Sequence, residues 1–137
     1  MGLVLDSGVL IAAERDAKPV SELLAALEQE HGETEIVLSS ITVIELEHGL
    51  HRAQTAEQAR KRREYLDTVF AAIPVEPFTR GMAQLAAKID AEARRAGRTI
   101  PFPDLLIGVT ALHFGYAIGT RNLRHFQMLP NLAVIQL

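Results

Sequence analysis

Residues 3 to 14 read LVLDSGVLIAAE: three apolar residues, a polar break that carries one carboxylate, Asp6, and then a second, longer apolar run. Short apolar runs are ambiguous between strand and helix, but the Asp6-Ser7-Gly8 break separates them and predicts strand, turn, helix. The pattern returns along the chain. EIVL at 35 to 38 predicts a second buried strand, and Ser39-Ser40-Ile41-Thr42 opens a helix through Leu50. YAIG at 116 to 119 and residues Leu132 to Ile135 predict a fourth and a fifth strand, while IPVEPF at 73 to 78 makes at best a short third one, since prolines flank it.

Between these runs the spacing is helical. A helix is expected from Val20 to about Glu30, with Leu23, Leu24 and Leu27 on one face and His31-Gly32 at its end. Thr55 to Ala72 carries the basic run Arg60-Lys61-Arg62-Arg63; Thr79 caps a long helix ending at Gly97; Asp104 begins an apolar one reaching Phe114. Short apolar strands alternating with helices imply a mainly parallel sheet of about five strands joined by right-handed crossovers. The fold class is therefore α/β, a three-layer α/β/α sandwich.

At 137 residues, with 48% hydrophobic and 23% charged, the chain fits one domain, residues 1–137, large enough to bury a core. It has no cysteine, which removes disulfides and thiolate metal sites. No positive region precedes the first apolar residues, and no apolar run approaches ~18 residues, so the expected setting is the cytoplasm. A formal charge of −3 argues against bulk attraction to nucleic acid and leaves room only for local basic patches.

In open parallel sheets, ligands gather beyond the carboxyl ends of the strands. Asp6 follows the first strand, Glu45 lies in the helix entered from the second, Asp104 opens the helix before the fourth, and Thr120-Arg121-Asn122 follows the fourth. Each has an ordinary structural use as well. Asp6 could cap the next helix; Thr42 and Glu45 match an S/T-x-x-E capping box; Asp104 could favour a helix dipole; Asn122 could be a turn residue. Their joint placement at one edge of one sheet points further. Three carboxylates brought together repel, and a hard divalent cation with oxygen ligands, magnesium or manganese, relieves that. Such an ion beside acids suits phosphodiester hydrolysis.

Four segments, LVLDSGVLIAAE, SSITVIELEHGL at 39 to 50, GRTIPFPDLLIGVTAL at 97 to 112 and IGTRNLRHF at 118 to 126, resemble in this order the PIN-domain ribonucleases of the VapC toxin type, from bacterial toxin–antitoxin pairs. The resemblance runs over essentially the whole chain. It implies a PIN-like fold and a metal-dependent endoribonuclease whose metal ligands are Asp6, Glu45 and Asp104, with a fourth catalytic position at Asn122. It also implies Mg2+ or Mn2+ as cofactor, RNA as substrate, a VapB-like antitoxin as partner, and a homodimer. Arg121 and Arg124 are candidates for RNA phosphates, with Thr120 and Ser7 as hydroxyl donors.

Two positions depart from the family pattern. Asn122 stands where many members carry a fourth acid, and His125 where TRN-type members often have Asp before the Phe. Neither supplies a fixed negative charge at neutral pH, so one tightly held ion is expected, with His125 a hydrogen-bonding side chain rather than a ligand. Rival classes fit less well. A phosphate-receiver domain needs an Asp after its third strand and a late Lys, whereas residues 73 to 78 offer Glu76 and no Lys follows Lys88; a haloacid-dehalogenase-like phosphatase needs Asp where Gly8 stands. A non-catalytic PIN-like module, binding protein or RNA only, is the remaining alternative.

Overall fold

Five strands alternate with seven helices in the computed structural model, which describes residues 1–137. The strands are β1 (Gly2–Leu5), β2 (Glu35–Ser39), β3 (Val75–Glu76), β4 (Ala117–Thr120) and β5 (Val134–Gln136). The helices are α1 (Ser7–Arg15), α2 (Val20–His31), α3 (Ser40–His51), α4 (Ala56–Ala72), α5 (Arg80–Arg95), α6 (Phe102–Phe114) and α7 (Leu123–Phe126). Every strand pairing is parallel, in the order β3-β2-β1-β4-β5. The chain steps outward from β1 to β2 and β3, then returns to the other side of β1 for β4 and β5. That reversal makes the carboxyl end of β1 the switch point of the sheet, where the crevice opens.

Side chains of β1 alternate between two layers, as the period of a strand requires. Leu3 and Leu5 join Leu38 and the inner faces of α1, α2 and α4, while Val4 joins Val37, Ile118 and α6 on the opposite face. A further cluster packs α5 against α6 through Met82, Ile89, Leu105 and Val109. The sheet is thus covered on both sides, which is why its strands read as continuous apolar runs. In β4, a Cβ on Gly119 would stand 2.7 Å from Leu137 and 3.2 Å from Leu5, so the absent side chain lets the central layer close.

Several boundaries differ from the sequence reading. Two prolines, Pro74 and Pro77, confine β3 to two residues. Strand β4 sits one position later than expected, because Gly115 takes the left-handed conformation (φ 69°) and ends α6, leaving Tyr116 as a connector, and β5 runs from Val134 rather than Leu132. Helix α6 begins at Phe102, with Pro101 as its N-cap residue and Pro103 in the first turn, so Asp104 is its third residue rather than its first. The four-residue α7 is too short to leave a periodic signal and was not expected.

The capping box that Thr42 and Glu45 match does not form. Ser39 is the N-cap of α3, its hydroxyl accepting from the Ile41 backbone N–H at 3.1 Å, and Thr42 is fully buried within the helix. The cap falls three residues earlier because the strand runs straight into the helix, leaving no loop for Thr42 to close.

Candidate active site

Asp6 is the residue on which β1 ends and α1 begins. Its backbone N–H donates to the Gly119 carbonyl at 2.9 Å, continuing the β1–β4 pairing by one residue and fixing the carboxyl group over the switch point. Its two oxygens do different things. Oδ1 accepts from the Ser7 backbone N–H at 2.9 Å, and Oδ2 accepts from the Thr120 hydroxyl at 2.9 Å. Capping by Oδ1 therefore leaves Oδ2 to a partner on β4.

Glu45 reaches the same place from the second turn of α3. Its Oε1 accepts from the Ser7 hydroxyl at 3.0 Å, so Ser7 links the helix after β1 to the helix after β2. Burial raises the Asp6 carboxyl above its ordinary value, with the Asp104 charge adding and the Thr120 and Ser7 hydrogen bonds opposing. The Glu45 carboxyl is also raised, again chiefly by burial, with the charges of Asp6 and Asp104 adding to it. Glu45 thus feels both Asp6 and Asp104, and Asp6 feels Asp104, as acids brought toward one end of a sheet do.

Asp104 enters from the first turn of α6. Its Oδ2 lies 2.6 Å from His125 Nδ1, and the same ring nitrogen is 2.9 Å from the Asn122 side-chain amide. Nδ1 cannot both donate to the carboxylate and accept from an N–H; a proton on Nδ1 shared with Asp104 leaves the Asn122 carbonyl oxygen as the group turned toward the ring. The Asn122 backbone N–H donates to the Thr120 hydroxyl at 2.9 Å, which closes a chain from Asp6 through Thr120 and Asn122 to His125 and Asp104. Phe126, fully buried among Val4, Ile107 and Ile118, anchors the short helix that presents His125. A further buried link, Thr110 Oγ1 to Ser39 Oγ at 3.1 Å, ties α6 to the start of α3 and so sets Asp104 relative to Glu45.

Of the residues singled out in the sequence, Asp6, Ser7, Glu45, Thr120 and Asn122 are joined by direct hydrogen bonds or one shared partner, and Asp104 is joined to them through His125. Arg121 and Arg124 are exposed, make no ion pair, and flank this network without touching it; Arg121 lines a shallow hollow with Asp16 and Lys18 on the α1 side. The Asp104–His125 contact was missed in the sequence; the one available signal was the three-residue spacing from Asn122 to His125, which brings those two together on a turn of helix. Ser7 is not a capping hydroxyl, since Asp6 holds that position.

The donors are hard oxygens, the set that a small divalent cation prefers. No three histidine or acidic side chains form a ready-made metal cage, however, because each carboxylate is turned to a hydrogen-bond donor: Thr120, Ser7 or His125. The chemistry of the donor set fits such an ion, and joint coordination requires the acids to turn from those partners.

A fold with this parallel order, carrying acids at its switch point, defines a class that comparison identifies. The model of the PIN domain matches residues 3–129, and the chain belongs to that family. Over 135 residues the chain is 28% identical to a protein named Ribonuclease VapC from Rickettsia bellii, covering 98% of this chain and 96% of the relative. It is 32% identical over 130 residues to VapC ribonuclease Y4jK of Sinorhizobium fredii, covering 91% and 90%. Among solved structures, the fold is similar to VapBC2 from Rickettsia felis bound to a DNA fragment from its promoter, with a TM-score of 0.86 at 22% identity over 100% of this chain and 99% of that one.

Proposed function

We propose that this chain is a metal-dependent endoribonuclease, the toxin of a bacterial toxin–antitoxin pair, acting in the cytoplasm. What supports this most is that Asp6, Glu45 and Asp104 come from three separate elements beside the switch point, with Asp6 raised by burial and the Asp104 charge and Glu45 by burial and the charges of Asp6 and Asp104. The names of the curated relatives point to the same chemistry.

In this reading Asp6, Glu45 and Asp104 hold Mg2+ or Mn2+. When bound, such an ion polarises the scissile phosphate and lowers the pKa of a bound water. The other residues act on the acids. Thr120 and Ser7 orient Asp6 and Glu45 by donating one hydrogen bond to each, and both hydroxyls can turn to a phosphate oxygen once the acids are engaged. His125 holds Asp104 in a fixed rotamer, and Asn122 orients His125 or a water. Arg121 and Arg124, with no ion-pair partner, are available to phosphates beside the network. With Asn122 and His125 in place of acids, a second ion lacks a fixed negative charge to hold it, which favours one tightly bound ion. A VapB-like antitoxin is the partner in this proposal, in keeping with the VapBC complex whose fold this chain shares; a homodimer completes it.

The test is cleavage of structured RNA by purified protein with magnesium, with manganese and with chelator, beside Asp6→Asn and Asp104→Asn. Metal-dependent cuts that vanish in both variants are expected. Equal activity in wild type and variants would assign the cuts to a contaminant, and no cleavage together with no calorimetric metal binding would leave a binding module.

A further inference from the structure

Helix α3 continues past the site with the same face turned outward: Glu45, Gly49 and Arg52 recur at i, i+4 and i+7 and so lie along one side of it. That side forms one wall of a groove closed by α1 and α4. Its inner hollow, about 310 Å³, is lined by Glu45, and it opens into an outer one of about 660 Å³ that is lined by Arg15 and Lys61; Gly49, Arg52 and Arg62 belong to both, so Arg52 stands between the acid and the outer cations. The floor is built for continuity. Arg62 of α4 pairs with Glu14 of α1 at 2.7 Å and lies across α3 at Gly49, where an added Cβ would stand 2.7 Å from its Nη1. Glu14 is thereby neutralised, and the outer end is left with cations. Arg52 is exposed and makes no ion pair, while Arg15 and Lys61 have only loose exposed partners, Asp16 and Glu57, each at 3.6 Å. Acids at one end and unspent cations at the other, on a protein of net charge −3, make a local electrostatic path rather than a general one.

We propose, resting on the ribonuclease reading, that the RNA strand runs along this groove, with its scissile bond at the acids and its flanking phosphates on Arg52, Lys61 and Arg15. The rise of α3 separates Glu45 from Arg52 by about 10 Å, so the contact is with the backbone beyond the reacting phosphate. These side chains position the strand and do not touch the reacting atoms.

The experiment is binding of a labelled, unstructured oligoribonucleotide in chelator, followed by anisotropy over a salt series, with KM and kcat for cleavage measured beside it. Each phosphate contact removed from a single strand flattens the plot of log K against log salt by about 0.7. Arg52→Ala, Lys61→Ala and Arg15→Ala are each expected to flatten it by that amount and to raise KM several-fold at unchanged kcat. Arg95→Ala, at the far end of α5, leaves both unchanged, and all four variants unfold at the wild-type temperature. Unchanged slopes in all three groove variants, with wild type still binding and cleaving RNA, would overturn the path, give the groove to a polypeptide and leave the nuclease reading intact. A wild type that neither binds nor cleaves RNA overturns both.

Discussion

Asp6 spends its two oxygens differently: Oδ1 accepts from the first N–H of α1, and Oδ2 accepts from the Thr120 hydroxyl, so capping leaves the second oxygen for the role proposed for it. Burial raises Asp6 and Glu45 above their ordinary values of 3.8 and 4.5, so the folded protein holds these protons more tightly than the unfolded chain does. Stability from these two groups is therefore fully present below those ordinary values and is lost as pH rises through the raised folded ones. In chelator, denaturant midpoints are expected to fall over that interval, and Glu45→Gln to flatten the fall; a midpoint that rises there would show the acids to be stabilised as anions. Thr120 works in the opposite direction, since its hydrogen bond lowers the Asp6 carboxyl. Thr120→Val should move the acidic limb of the kcat/KM profile toward higher pH, and Thr120→Ser should restore it. Thr42 is a different kind of residue: its fully buried hydroxyl has no hydrogen-bond partner. Replacing a buried, unsatisfied hydroxyl by a methyl removes a desolvation cost, so Thr42→Val is expected to stabilise by about 1 kcal/mol in urea unfolding.

Elements were legible where a pattern ran long enough. Strand β1, helix α2 and helix α5 follow from apolar runs and from leucines or alanines at helical spacing, and Thr55 and Thr79 cap the helices expected of them. What failed was local. Residues 39 to 42 mark where α3 begins but not which of them caps it, because Ser39, Ser40 and Thr42 are all competent caps and only the end of β2 selects Ser39. Helix α7 was illegible for a related reason: four residues give no period, and its position depends on where Phe126 is buried. The positions of the acids at strand ends and helix starts follow from the order of strands and helices, whereas the Asp104–His125 contact joins residues 21 apart, and only the Asn122-to-His125 spacing hints at it. Ser39 shows the weight of such a junction, for it caps α3 and accepts from Thr110 of α6. Ser39→Ala is expected to cost about 1–2 kcal/mol by chemical denaturation, the loss of a cap plus a buried hydrogen bond. Thr110→Val should cost less, since it leaves the cap intact.

At the scale of the whole molecule, the proposed ligands are far apart in sequence and close only in the complete fold. Asp6 needs β1 paired with β4, Glu45 needs α3 set by β2, and Asp104 needs α6 packed on the opposite face of the same sheet. No fragment of the sheet assembles all three, so a divalent cation that uses them binds the native state and not the unfolded chain. Binding of that kind stabilises by mass action, about 2.7 kcal/mol when the free ion is at 100 times its dissociation constant. The protein should therefore unfold at higher denaturant with Mg2+ or Mn2+ than with chelator, with an unchanged slope, because the ion alters the native state's free energy and not the surface exposed on unfolding. Asp104→Asn should abolish the shift. A cation shift that survives in Asp6→Asn, Glu45→Gln and Asp104→Asn alike would place the ion elsewhere, and the acids at the switch point would then be a cluster without the cation that their convergence calls for.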